Sequence, residues 1–450
     1  MRTYDGLPLP ARYWAILTIA LGLTMAVLDG AIANIALPTI AREVHVDPAS
    51  SIWVVNAYQL AVTITLLPLA SLGEIVGYRR IYQAGLAVFT LASLACALSH
   101  TLPMLTLARV VQGFGAAGVM SVNTALVRFI YPRALVGQGL GINAMVGSVS
   151  SAVGPTVASA ILSVASWPWL FAVNVPIGLL AFAIAARALP RTPRSDHPFD
   201  FGSAGLNALA FGLLITGIDG LGHGERAPVI ALELAGALAF GALLIVRQLS
   251  RSFPLLPVDL MRIPLFALSV ATSIASFTAQ GLAYVALPFF LQDALGRSQV
   301  ETGLLMTPWP LTVAVVAPFA GRLADRYPAG LLGGIGLSAF AVGLALLALL
   351  PAHPSIGDIV WRMAICGFGF GFFNSPNNRA MIVSAPRDRT GGASGMLATA
   401  RLLGQTTGAA LVALVFGLTA HAGTTVALAL AAAMAALGAA VSSTRLLRVR

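Results

Sequence analysis

Fourteen runs of roughly twenty apolar residues, divided by short turns that carry arginine, constrain this 450-residue chain more than any other feature. A run of that length crosses about 30 Å of hydrocarbon as a helix. Inside lipid every backbone N–H and C=O must be satisfied within the segment, so such runs fold as helices. The spans read from the sequence are 13–37, 52–72, 81–99, 102–125, 137–162 and 168–187, then a middle pair at 201–219 and 228–246, then 265–287, 302–320, 330–350, 357–378, 393–416 and 423–441. Only 9% of residues are charged and 58% are hydrophobic, against roughly 25% charged in soluble domains, so lipid must solvate most of the surface. The expected class is an all-α integral membrane protein.

Arginine sets the orientation. All 26 basic residues are arginine, and the net charge is +10. They stand singly or in pairs between apolar runs, which excludes a clustered nucleic-acid surface. With both termini in the cytoplasm, 20 of the 26 fall in cytoplasmic segments; Arg42, Arg226, Arg297 and Arg362 fall outside, and Arg109 and Arg401 within helices. A missed span would invert this alternation downstream. The polar stretches 188–200 and 247–264 bracket the middle pair, which divides the chain into 13–187, 188–264 and 265–441, two six-helix halves around two inserted helices. Cys96 and Cys366 lie in apolar runs as small buried side chains, with no pairing or metal spacing.

Four patterns carry chemistry. The first helix holds Asp29 and Asn34, and a carboxylate in hydrocarbon costs a few kcal/mol unless it is used. Such a group can hold a proton and exchange it for a solute; the plainer alternative is a structural pair with a neighbouring helix. The fourth helix holds Arg109 and Gln112 beside Gly113 and Gly115; a permanent cation there needs an acceptor, with Asp29 or a backbone carbonyl as candidates. The fifth helix holds a small-residue stripe ending in Gly154 and Pro155. An inner turn with Glu74, Gly77, Arg79 and Arg80 recurs as Asp325 and Arg326 in the second half, where charges can pair with a helix end in one state and release it in another.

With these residues in view, the chain resembles the major facilitator superfamily, specifically its fourteen-helix drug:proton antiporter branch. Leu28-Asp29 through Asn34 to Ala36-Leu37-Pro38 is similar to that branch's first-helix motif, and Trp53-Val54-Val55-Asn56-Ala57-Tyr58-Gln59-Leu60 to its second-helix entry. Arg109-x-x-Gln112-Gly113-x-Gly115 is similar to the fourth-helix motif, and Gly154-Pro155 to the antiporter motif of helix five. The first inner turn departs from the family pattern at Ala70, Gly73, Glu74 and Ile75, the second at Pro328, and helix five has Ala158-Ser159 where a glycine pair is usual. The resemblance implies proton-driven export by alternating access, with no cofactor beyond the proton gradient, from a monomer in the bacterial inner membrane.

The expected assignments follow. Asp29 and Arg109 couple protons. Asn34, Trp53, Tyr58, Gln112, Met145, Gln280, Phe373, Asn374, Arg401 and Gln405 line a midplane substrate site. Glu74, Gly77, Arg79, Arg80, Gly154, Pro155, Asp325 and Arg326 form gates. So few membrane acids suit lipophilic neutral or monocationic cargo, with Arg401 leaving room for an anionic group. A dedicated exporter of one metabolite or self-made antibiotic fits the same fold. A membrane enzyme or receptor fits poorly: the six histidines lie in or near loops, and no Walker loop is present.

Overall fold

The computed structural model describes residues 6–448 except 133–134, 197, 223–224, 250–257, 325, 352, 387–389 and 420–422. Among these residues the structure is helical throughout, with no strand. The spanning helices are α1 (Ala11–Glu43), α2 (Trp53–Val76), α3 (Tyr78–Ala97), α4 (Leu102–Ile130), α5 (Val136–Leu162), α6 (Asn174–Ala188), α7 (Phe201–Gly222), α8 (Ala227–Leu249), α9 (Pro264–Phe289), α10 (Pro308–Leu323), α11 (Ala329–Ala348), α12 (Ile356–Ser384), α13 (Thr390–Leu418) and α14 (Gly423–Thr444). Thirteen spans are long and apolar enough to cross a membrane, and α5 makes a fourteenth when its two segments, bent by 43°, count as one. Pro155 sits inside α5 and supplies the bend by removing a backbone donor. α10 is preceded by the short helix Gln299–Met306, interrupted where Pro308 and Pro310 follow Thr307.

Most helices exceed the apolar runs by several residues at one end; α12, for example, reaches Ser384 rather than 378. The polar turns beyond the hydrocarbon continue the helix until a residue stops it. At the end of α2 that residue is Gly77, whose φ of +107° lies in the left-handed region that favours glycine.

Glycine decides which helices pack closest. A Cβ on Gly115 of α4 would lie 2.3 Å from the Phe89 backbone nitrogen and 2.8 Å from the Gly85 carbonyl oxygen of α3. A Cβ on Gly113 would lie 2.6 Å from the Tyr58 carbonyl oxygen of α2. The same interlock recurs in the second half. A Cβ on Gly369 of α12 would lie 2.3 Å from the Phe340 nitrogen and 2.6 Å from the Gly336 oxygen of α11, and one on Gly367 would lie 2.3 Å from the Trp309 oxygen of α10. From 85 to 336 and from 89 to 340 the offset is 251 residues; from 113 to 367 and from 115 to 369 it is 254. Gly113-Phe114-Gly115 and Gly367-Phe368-Gly369 are one packing device used twice.

Helices α7 and α8 pack on each other, and α7 also lies against α2 and α13. Asn207 of α7 donates to the Ile64 carbonyl of α2 at 2.9 Å. At the base of the pair, Asp200 accepts from Arg247 at 2.8 Å and from the Ser203 hydroxyl at 2.7 Å. Burial pushes the Asp200 carboxyl up, but these donors outweigh it and hold it well below the usual carboxylate range.

Candidate functional site

The polar centre of the first six helices is built on Asp29 and Arg109. Asp29 is 2% exposed and Arg109 fully buried. Arg109 Nη1 forms an ion pair with Asp29 Oδ2. Asp29 Oδ1 accepts from Gln112 Nε2 at 2.8 Å and from Asn174 Nδ2 at 2.9 Å. Arg109 Nε donates to the Val54 carbonyl at 2.8 Å, and Nη1 also donates to Gln112 Oε1 at 2.6 Å. Arg109 and Gln112 stand three apart on one face of α4, so both reach the same point. The guanidinium lies 4.2 Å from the centre of the Tyr58 ring and 5.4 Å from that of Phe171. The Tyr58 hydroxyl donates to the Ala26 carbonyl at 2.8 Å. Gln112 Nε2 further donates to Ser93 Oγ at 2.9 Å, and the Cys96 thiol to Gln112 Oε1 at 3.4 Å.

Every group around Asp29 donates to it. Its two oxygens thus take three donors, from α4 and α6. One nitrogen of Arg109, Nη2, is buried without a hydrogen-bond partner, so the guanidinium is not fully committed here. The second half carries no charge at the matching places: the offset of 254 puts Met363 where α4 has Arg109, and Cys366 where it has Gln112.

Of the residues expected to line a substrate site, Tyr58 and Gln112 join this centre. Gln405 Nε2 donates to Gln280 Oε1 at 3.3 Å, linking α13 to α9. Arg401 stands one turn before Gln405, and its Nε is buried without a partner. Asn34 bonds back to the Gly30 carbonyl at 3.3 Å, and Asn374 holds a buried, unpartnered Oδ1 on α12. Three others stand apart from both groups. Trp53 donates to Asp219 of α7 at 3.0 Å. Met145 is 59% exposed, and Phe373 is sealed in the α11–α12 interlock.

The expected gate residues also separate. Arg79 donates to the Ala186 carbonyl, and Gln83 to that of Ala185 at 3.1 Å, so both satisfy the last turn of α6. Gly77 makes the α2–α3 turn, and the Glu74 carbonyl accepts from the Ser195 N–H at 2.8 Å. Arg80 faces the same turn. Gly154 lets α5 meet α1, since a Cβ there would lie 2.6 Å from that of Ala31; the Pro155 carbonyl would lie 2.5 Å from a Cβ on Gly303. Asp325 lies outside the described residues, and Arg326 follows the last turn of α10.

Contacts at the opposite end were not anticipated. Arg42 pairs with Asp293 at 2.9 Å, and Gln292 donates to the Ile35 carbonyl at 2.9 Å, joining α1 to the end of α9. Thr156 and Thr307 hydroxyls meet at 2.9 Å between α5 and the start of α10. Deeper, Thr63 and Thr406 hydroxyls approach to 3.5 Å between α2 and α13. Asn174 and Ser93 were also missed. Asn174 is an amide in the apolar run of α6, and its cost in hydrocarbon is the signal that marks it.

A family model described as Major Facilitator Superfamily matches residues 19–409. The chain belongs to that superfamily. It is 60% identical over 448 residues to "Uncharacterized transporter YebQ" of Escherichia coli (strain K12), covering 99% of this chain and 98% of that one. It is 31% identical over 392 residues to "Riboflavin transporter RibZ" of Clostridioides difficile (strain 630), covering 87% and 85%. It is 31% identical over 400 residues to "Multidrug resistance protein Stp" of Mycobacterium tuberculosis (strain CDC 1551 / Oshkosh), covering 88% and 74%. The fold resembles that of a bacterial homologue of the lysosomal transporter Spinster solved inward-facing and unoccupied, with a TM-score of 0.70 and 17% identity over 99% of each chain. This chain is thus a multi-pass membrane transporter of the superfamily.

Proposed function

We propose that the chain is a proton-coupled antiporter that exports lipophilic small molecules, neutral or monocationic, by alternating access. One observation carries this reading: a carboxylate and a guanidinium are buried together at membrane depth, linked to four helices through side chains that can exchange partners. In this reading Arg109 occupies Asp29 in one state and leaves it in another, and that exchange couples the proton to the solute. A structural bridge alone gains little, because a buried ion pair roughly breaks even against apolar packing.

In this reading residues 13–187 and 265–441 rock as two halves about the Gln280–Gln405 level, and 188–264 carries the extra pair. The contacts at Arg42–Asp293 and Gln292–Ile35 join the arginine-poor ends of the two halves, and the positive-inside rule makes the opposite, arginine-rich face cytoplasmic. Asp29 is paired inside its own bundle and other membrane acids are few, which supports cargo with at most one positive charge. The test is Asp29→Asn in everted vesicles: substrate-driven proton movement is lost, and unchanged proton movement would refute the coupling role.

A second reading has one observation in its favour. The similarity to a protein named as a riboflavin transporter sets a single-solute relative beside one named for multidrug resistance. An efflux panel in a pump-deficient strain separates the two: several unrelated compounds for the first, one for the second.

A further inference from the structure

A cluster of positive charge with no role in the reading above sits at the ends of α2, α3 and α6. A cavity of about 520 Å³ is lined by Arg79, Arg80, Arg191, Arg194, Gln83 and Thr192, among others. Four arginines line this space. Arg79 is held by the Ala186 carbonyl, while Arg80, Arg191 and Arg194 make no ion pair among the described residues. The nearest acids in sequence are Glu74 and Asp196, and neither lines the cavity.

The backbone forces these like charges together. The segment after α6 is fastened across the α2–α3 turn by two bonds, Ser195 N–H to the Glu74 carbonyl at 2.8 Å and Tyr78 N–H to Thr192 Oγ1 at 3.0 Å. Gly77, between Glu74 and Tyr78, holds the turn in the left-handed region. Arg191 and Arg194 are thereby set against Arg79 and Arg80. Such an arrangement repels itself until an anion enters. A guanidinium fork presents paired N–H groups that match phosphate oxygens.

Depth points to the source of the anion. Val76 ends α2, Tyr78 begins α3 and Ala188 ends α6. The cavity is therefore level with the helix ends, where the phosphates of the surrounding lipid lie. We propose that this cavity binds the phosphate of an anionic phospholipid headgroup, which bridges Arg191 and Arg194 to Arg79 and Arg80 and clamps the α6–α7 connection onto the α2–α3 turn.

The test is native mass spectrometry of the full chain in detergent, titrated with phosphatidylglycerol, phosphatidylcholine or soluble glycerol phosphate. The wild type is expected to retain phosphatidylglycerol in preference to phosphatidylcholine. R191Q/R194Q is expected to bind it about thirtyfold more weakly, which is about 2 kcal/mol at 1.4 kcal/mol per decade. R191K/R194K keeps the charge but not the fork and is expected between the two. The single variant R194Q, at about fivefold, serves if the double variant unfolds early. Equal binding by R191Q/R194Q and wild type overturns the site. Equal binding of phosphatidylcholine, or displacement of lipid by glycerol phosphate at matched concentration, overturns the lipid headgroup as its ligand. The readout involves no transport, so it stands or falls apart from the coupling role of Asp29.

Discussion

Replacing Asp29 by Asn removes one charge from a pair that has almost no contact with water. The shape is kept, and Gln112 can still bond to the new amide. Arg109 retains the Val54 carbonyl and Gln112 Oε1 but loses its only counter-charge among the described residues, with Nη2 already unpartnered. Breaking a buried pair from one side costs about 3–5 kcal/mol, because the remaining charge stays buried. Removing both charges costs far less. The protein itself shows what a neutral version looks like, since α12 repeats the α4 interlock with Met363 in place of Arg109. We therefore expect Asp29→Asn to lower the thermal midpoint of the detergent-purified protein well below wild type, and Asp29→Asn with Arg109→Met to recover most of the loss. The coupling energy from the four-member cycle should be at least about 2 kcal/mol in favour of the pair. Both variants should lose proton coupling, so stability and transport part company in the double variant. If Asp29→Asn were as stable as wild type, or the double variant less stable than the single, the argument from an uncompensated buried charge would be refuted.

Other predictions rest on separate parts of the structure. Gly115→Ala and Gly369→Ala should each lower the midpoint sharply, because the new methyl meets a backbone nitrogen at 2.3 Å that cannot move alone; unchanged midpoints in a thermal-shift assay would refute the interlock. Asp293→Asn removes an exposed outer pair and should cost at most about 1 kcal/mol of stability, yet raise labelling of an outer cysteine probe placed at Thr156; no change in labelling would count against the latch. Trp53→Phe should weaken the docking of the end of α7, seen as faster proteolysis of the α7–α8 connection, while substrate affinity changes little; a large affinity change would return Trp53 to the substrate site. Asp200 has a lowered folded value, so its contribution is fully present above the unfolded value of about 3.9 and fades as pH falls through the lower folded value; Asp200→Asn should flatten the acid limb of the stability curve between about pH 4 and pH 2, and an unchanged limb would contradict the assignment.

Much of the fold was legible because lipid imposes one rule on every span. The fourteen apolar runs map onto α1 to α14 in order; most boundaries slip where polar turns continue a helix past the hydrocarbon, and α6 and α10 begin at 174 and 308 rather than 168 and 302 because a short helix is broken off ahead of each. The Asp29–Arg109 contact was foreseeable for a similar reason: two opposite charges in hydrocarbon have few alternatives. Side chains that polarity does not single out were harder. Trp53 and Phe373 suit a pocket by composition, yet one is held by Asp219 and the other by the glycine contact of α11 with α12. Asn174 and Ser93 complete the Asp29 centre from helices whose sequence gives no spacing to connect them. Arg42 and Asp293 stand 251 positions apart, and nothing in a single sequence says that the ends of α1 and α9 meet.

The small hydroxyl contact between Thr63 and Thr406 has a mechanical meaning. The glycine interlocks leave α3 with α4, and α11 with α12, no side-chain layer in which to slide, so each behaves as a stiff laminate. On the rocking motion proposed above, movement concentrates where the two halves touch through short, weak groups. The threonine seam can act as a fulcrum, with the Arg42–Asp293 clasp at the end of one lever arm. A clasp far from the pivot needs little force to hold a large body still, and a modest change in pairing at its tip can release the whole beam.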